Sequence, residues 1–280
     1  MEIRLAAEIE RNVLAALAED IGSGDLTALL IPAGHNSRGI VITREDAVLC
    51  GAAWFDACFQ RLDPASRVVW NAREGDRIKA GQTICEVDAE TRALLTAERT
   101  ALNFLQLLSA TATATRRFVD IVSGTDAKIV DTRKTLPGLR LAQKYAVKTG
   151  GGCNHRLGLY DGILIKENHI MAAGGVIAAL RHARQLAHEG VFVQIEVESI
   201  AQLVEALDCG VRMVLLDNMS LEQMREAVVI NAGRAELEVS GGVTLEQVRS
   251  IAETGVHRIS IGALTKDVAA IDLSLRHVER

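Results

Sequence analysis

From about residue 127 onward the chain repeats one cycle: a short run rich in Val and Ile, a polar cap, an amphipathic stretch and a glycine. The apolar runs are AKIVDT (127–132), DGILIK (161–166), VFVQIEVE (191–198), VRMVLLDN (211–218), ELEVSGG (236–242) and HRISIGA (257–263). Three of the intervening segments open on capping-box spacing: Ser199 with Gln202, Ser220 with Gln223 and Thr244 with Gln247. In such a box each side chain satisfies a helix N–H that has no backbone partner. Gly190, Gly210, Gly233 and Gly255 stand where the helices should stop, because glycine enters the left-handed terminal conformation without a Cβ penalty. A cycle of roughly 20–30 residues built this way describes successive βα units, which close into a barrel or spread as a doubly wound sheet.

Each apolar run carries an unexpected polar group at or near its C-terminal end: Asp131 with Arg133 and Lys134, Lys166, Glu196 with Glu198, Asp217, Ser240 and Ser260. In a βα barrel those ends converge on one rim, where sites are assembled from several strands at once. The expected fold class is therefore α/β: a C-terminal parallel α/β barrel, incomplete or open, with six strands legible, preceded by a smaller N-terminal α+β domain. The first 110 residues lack the repeat. SRGIVITREDAVLCG reads as a strand or hairpin, VVWNAREGDRIKAGQTICEVDAE as short strands around turns, and TRALLTAERTALNFLQLLSATATATRRFVDIV as a long apolar helix. The expected division is 1–110 including that helix, 111–265 for the barrel, and a 266–280 tail packing back on the N-terminal domain. The GDRIKAGQ turn resembles those of lipoyl-type sandwiches but offers no attachment lysine in a tight hairpin, and is read as structural.

The rim residues limit the chemistry. Arg133, Lys134 and Lys166 abut strand ends, and with Arg156 and the adjacent His155 they suit a polyanionic ligand. Arg140, Lys144 and Lys148 recur at helical spacing and read as a solvated helix face. Glu196 and Asp217, on successive strands, can hold sugar hydroxyls or a metal and can stabilise a cationic transition state. Glu198 shares strand parity with Glu196, so both can point into the barrel. The glycines of SGG (240–242) and IGA (261–263) follow the last two strands, where backbone N–H groups commonly cradle a phosphate. No nucleophile elbow and no clustered-histidine metal motif is present in the sequence. A phosphoribosyl substrate with an acidic partner matches cradle, carboxylates and cations together.

A net charge of -5 in 280 residues argues against a general nucleic-acid or anionic-membrane surface, so any anion site must be local. Five scattered cysteines without a CxxC read as reduced thiols. The acid-containing N-terminal stretch reads as neither a signal nor a transit peptide, and no run approaches the roughly 18 apolar residues of a membrane span. The expected location is the cytoplasm.

DTRKTLPGLRLAQKYAVKTGGGCNHRLGLYDGILIKENHI (131–170) closely resembles the quinolinate phosphoribosyltransferase family. So do EDIGSGDLTA (19–28), ERTALNFLQLLS (98–109), EVE (196–198), LLDNMS (215–220), SGG (240–242) and SIGALT (260–265), in order along the chain. The resemblance implies transfer of phosphoribosyl from 5-phosphoribosyl 1-diphosphate to quinolinate with decarboxylation, with Mg2+ accompanying the diphosphate and no metal held by the protein alone. It implies that Arg99, Arg133, His155, Arg156 and Lys166 surround quinolinate. Thr132, Lys134, Glu196, Asp217, Ser240, Gly241, Gly242, Ile261, Gly262 and Ala263 would bind the donor, with Lys134, Lys166, Glu196 and Asp217 catalytic. It further implies a homodimer in which Arg99 reaches the neighbouring site. A paralogous family linked to molybdenum transport shares the fold and a TRKT-like motif, but KENHI and the full cation set favour the quinolinate enzyme. A non-catalytic binder of phosphosugars or pyridine acids would need the same anion groups without paired carboxylates over the ribose. The resemblance thins in RHARQLAHEG and NAGRAE.

Overall fold

The structure is a computed structural model and describes residues 2–278. The chain opens with α1 (Glu2–Ile21), β1 (Asn36–Thr43), β2 (Ala47–Val48), α2 (Ala52–Leu62), β3 (Arg67–Trp70), β4 (Arg77–Ile78), β5 (Thr83–Glu90) and α3 (Thr91–Ile121). It continues through β6 (Lys128–Val130), α4 (Arg140–Thr149), β7 (Gly162–Ile165), α5 (Glu167–Ala173), α6 (Val176–Leu186), β8 (Phe192–Val197), α7 (Ile200–Asp208) and β9 (Met213–Asp217). The last elements are α8 (Leu221–Asn231), β10 (Glu236–Ser240), α9 (Val248–Ala252), β11 (Arg258–Ser260), α10 (Ala263–Lys266) and β12 (Leu273–Val278). Two compact units result: residues 1–116, 135–151 and 265–280 form the first, and residues 117–134 and 152–264 the second.

The first unit holds an antiparallel sheet in the order β12-β1-β5-β3 and a small β2-β4 ribbon. The stretch read as a possible hairpin is therefore not one, because β1 pairs with β5 and β12 while β2 pairs with β4. Gly39 lets β12 in: a Cβ there would lie 2.9 Å from Leu275 Cδ2. The core is aromatic, with Trp54, Phe55 and Phe59 of α2 fully buried and the Phe55 ring 5.4 Å from that of Trp70. Trp54 Nε1 donates to Asn12 Oδ1 of α1 at 3.1 Å, so the buried indole is satisfied. The TATAT run does not end α3. Thr111, Thr113 and Thr115 each return their hydroxyl to the carbonyl four residues back, and Thr113 Oγ1 also accepts the Val48 amide at 2.8 Å. Residues of poor helix propensity are thus held by bonds within and outside the helix. On α4, Lys144 is 1% exposed, which overturns its reading as a solvated residue; the amphipathic α4 buries Ala142, Gln143, Lys144, Ala146 and Val147 together.

The second unit holds six parallel strands in the order β6-β11-β10-β9-β8-β7. Each new strand from β7 to β11 adds on the same side, and β6, the earliest, docks on β11. Read around the sheet, this is a barrel's cyclic order broken at one seam, between β6 and β7. Among the described residues no ladder joins those two strands, and β6 is extended by a single parallel bridge from Val130 to Cys153. Ser220 and Gln223 form the expected reciprocal box at the start of α8. Ser199 caps α7, but Gln202 accepts from the Glu198 amide, one residue earlier than expected. The Thr244 box does not form. Helix α9 begins only at Val248, and the Thr244 hydroxyl bonds the Glu246 carboxylate instead, holding it below its usual range. Gly190, Gly210, Gly233 and Gly255 all adopt positive φ, as a strand-entering turn after a helix requires.

Candidate active site

Within the second unit the C-terminal strand ends bring together most of the residues singled out in the sequence. Lys166 follows β7, and its amide donates to His169 Nδ1 at 3.0 Å, which opens α5 and leaves the ammonium on a half-exposed side chain. From there Lys166 Nζ lies 3.4 Å from Glu196 Oε2 at the end of β8. Burial raises the Glu196 carboxyl above its ordinary range, Lys166 pulls it back, and Asp217 and Glu198 push it up further. Glu196 and Asp217, at the ends of neighbouring strands, therefore sense each other's charge. Glu198 lies one residue beyond the end of β8 and is exposed.

Two guanidinium groups come together from the two ends of the sheet order, Arg133 after β6 and Arg156 before β7. Arg156 donates from Nη1 to the Gly162 carbonyl at 2.9 Å and is largely buried. Burial, followed by repulsion from Arg133, lowers its pKa, while Asp161 raises it. Arg133 Nε is itself buried with no hydrogen-bond partner. Adjacent cations with an unsatisfied buried donor are costly without an anion. Asp131, one of the polar strand ends, is fully buried and accepts from the His155 amide at 2.9 Å and from Asn154 Nδ2 at 2.5 Å. It fastens the loop that carries His155 and Arg156.

The glycine loops are shaped by close approach. Gly241 has φ +116, and a Cβ there would meet the Asn218 side chain. Asn218, itself at φ 52, donates its amide to the Ser240 carbonyl at 3.2 Å and its side chain to Asp217 at 2.9 Å. Gly262 lies under Lys134, where a Cβ would stand 2.9 Å from Lys134 Cδ and 3.6 Å from Thr132 Oγ1. The Thr132 hydroxyl accepts the Lys134 amide at 3.1 Å, and Ile261 donates to the Val130 carbonyl at 2.9 Å. Neighbouring strands β6 and β11 thereby place Lys134 over the IGA loop, with Ala263 opening α10 beside it. Arg99 is exposed on α3 in the first unit, and Arg140, Lys144 and Lys148 belong to α4 in that unit.

Sequence reading missed an interior layer below the rim. Gln194 and Glu238 are both fully buried, and Gln194 Nε2 donates to Glu238 Oε2 at 3.2 Å. Glu238 also accepts from Ser260 Oγ at 2.6 Å and from Arg258 Nε at 3.0 Å. Strand parity is the signal that could have found them: Gln194, Glu238 and Arg258 each stand two residues before a rim residue, Glu196, Ser240 and Ser260. A cavity of about 570 Å³ at the N-terminal ends of β8 and β9, lined by Leu180, Arg184, Phe192 and Met213, lies away from these rim groups.

Comparison with known proteins adds to this geometry. Residues 25–109 match the family described as quinolinate phosphoribosyl transferase, N-terminal domain, and residues 111–276 match its C-terminal domain. A nicotinate-nucleotide pyrophosphorylase [carboxylating] of Mycobacterium leprae is 44% identical over 274 residues, covering 94% of this chain and 95% of that protein. A quinolinate phosphoribosyltransferase [decarboxylating] of Nicotiana glauca is 40% identical over 289 residues, covering 96% of this chain and 82% of that one. The solved nicotinate-nucleotide pyrophosphorylase from Francisella tularensis superposes with a TM-score of 0.94 at 44% identity, covering 97% of this chain and 96% of that one.

Proposed function

The chain belongs to the quinolinate phosphoribosyltransferase family, and from that premise we infer how its rim carries out the reaction. It transfers phosphoribosyl from 5-phosphoribosyl 1-diphosphate to the ring nitrogen of quinolinate, giving nicotinate mononucleotide, diphosphate and carbon dioxide in de novo NAD synthesis. The observation that carries the site assignment is the Arg133–Arg156 pair: two neighbouring guanidiniums, one lowered by the other, with a buried Nε lacking a partner. A pyridine dicarboxylate supplies two anionic groups of fixed spacing to such a pair. Lys166 completes the acceptor side, with His155 behind Arg156.

Thr132, Lys134, Ser240, Gly241, Gly242, Ile261, Gly262 and Ala263 hold the donor's phosphates through backbone amides and the Lys134 ammonium. Glu196 and Asp217 hold the ribose hydroxyls and face positive charge that develops at C1 as diphosphate departs. The ring nitrogen, aligned by its carboxylates, forms the new bond to C1. The pyridinium nitrogen then draws the electron pair released as the adjacent 2-carboxylate leaves as carbon dioxide, and a proton replaces it on carbon. Among the described residues no group of three or more His, Cys, Asp or Glu side chains is set to hold a metal. Glu196 and Asp217 are the carboxylates that would face Mg2+ entering on the substrate's diphosphate, and the ion would supply charge neutralisation to the leaving group.

The active unit we propose is a homodimer in which Arg99, exposed on α3, serves the neighbouring site; a cytoplasmic location is supported by five free cysteines. Nucleic acid and membrane have no part in the reading. The test is turnover with 5-phosphoribosyl 1-diphosphate and Mg2+, following nicotinate mononucleotide, with quinolinate compared against nicotinate as acceptor. Quinolinate alone should be used. Equal use of both acceptors would mean that the dicarboxylate pocket is misassigned, and binding of both substrates without diphosphate release would mean a binding protein.

A further inference from the structure

His155 touches protein through both ring nitrogens. The Arg156 amide donates to Nδ1 at 2.7 Å, and Nε2 lies 2.8 Å from Gln194 Oε1. An amide N–H can only donate, so Nδ1 is an acceptor and carries no proton. The proton of the neutral ring then sits on Nε2 and is donated to Gln194 Oε1. This orients the Gln194 amide, whose Nε2 donates onward to Glu238 Oε2 at 3.2 Å, so every donor in the chain finds an acceptor. The groups facing the ring agree. Glu238 Oε1 is 3.7 Å from His155 Nε2, beyond hydrogen-bond reach, and Glu238 is held instead by Arg258 at 3.0 Å, which it shares with Glu236 at 3.6 Å, and by Ser260 at 2.6 Å; Phe192 packs edge-on at 5.5 Å, and Asp131 takes the His155 backbone amide.

We propose that Glu238 and Gln194 are positioning residues for acceptor binding: they fix His155 as the neutral Nε2–H tautomer, and the resulting Nδ1 acceptor holds the backbone from which Arg156 reaches the ligand. This rests on the acceptor-site reading above. It differs from a direct role for His155, because an imidazole with both nitrogens engaged has no hydrogen bond left for a carboxylate. Fixing one nitrogen through the partner of the other is a general means of orienting histidine.

The test uses the full chain labelled with 15N-histidine. The His155 resonances should show an Nε2-protonated, Nδ1-unprotonated ring at neutral pH, and the same pattern after quinolinate is added. An imidazolium, an Nδ1–H tautomer, or a switch to either on binding quinolinate would overturn the proposal, whether or not the chain turns over. In steady-state kinetics Gln194→Leu should raise KM for quinolinate tenfold or more, while KM for 5-phosphoribosyl 1-diphosphate changes less than twofold. The shape-conserving Glu238→Gln, which keeps a carbonyl for Arg258 and Gln194, should retain most of the acceptor affinity. Equal increases in both KM values for Gln194→Leu would indicate a general structural role and refute positioning. If that variant does not fold, the wild-type tautomer decides. A wild-type protein inactive with both substrates but showing the expected ring would sink the functional reading and leave the tautomer assignment standing.

Discussion

Replacing Arg133 by methionine should move stability and activity in opposite directions. In the free protein, Arg133 Nε is buried without a partner and its charge depresses the neighbouring Arg156. An unsatisfied buried donor costs about 1–3 kcal/mol. Methionine keeps much of the side-chain volume while removing both donor and charge, so the ligand-free protein should gain roughly 1 kcal/mol or more, worth about 2–4 °C in Tm for a chain of a few hundred residues. With quinolinate the balance reverses. Loss of a forked guanidinium contact, at about 1.5–3 kcal/mol for each charged hydrogen bond, lowers kcat/KM for quinolinate by at least about 100-fold. Thermal denaturation with and without quinolinate reads both effects in one experiment: the variant should start higher and lose the ligand-induced shift. A variant that melts lower when ligand-free, or that keeps the shift, would refute the view of Arg133 as a cation stored for an anion.

Glu196→Gln should also separate stability from turnover. Because burial holds the Glu196 carboxyl above its ordinary range, the folded state binds a proton more readily than the unfolded chain. Its stabilising contribution is full below the unfolded glutamate range and is lost as pH rises through the elevated folded value. The variant's stability relative to wild type should therefore grow across that window and level off above it, while turnover falls; denaturation midpoints measured from acid to neutral pH check the sign. Gly241→Ala should cost about 1–3 kcal/mol, since an alanine at φ +116 is strained and its Cβ meets Asn218. Differential scanning calorimetry would show it, and a rise in KM for the phosphoribosyl donor larger than that for quinolinate would place the loop on the donor side.

What the sequence made legible was what local chemistry encodes. The six staves, the Ser220 box and the left-handed glycines each depend on residues within a few positions, and the rim polar groups betrayed themselves by ending apolar runs. Thr244 failed because its hydroxyl had a nearer competitor, the Glu246 carboxylate, that cap spacing does not reveal. Lys144 failed because helical spacing marks a face and says nothing of whether that face is covered. Gln194 and Glu238 were half legible: parity with Glu196 and Ser240 puts them on the rim's face of their strands. That they meet each other across 44 residues of sequence is shown only by the order of the strands in the sheet.

The chain passes between its two compact units at residues 116–117, 134–135, 151–152 and 264–265, and β12, its last strand, pairs with β1, its first. During synthesis the first unit therefore cannot be completed when its opening residues emerge, for it lacks α4 and then its edge strand until nearly the whole polypeptide has been made. Closing a loop between Arg38 and Val278 is among the slowest kinds of contact a chain can form. No single cut yields either unit intact, so a fragment ending at any one of these crossings carries one unit without all of its chain.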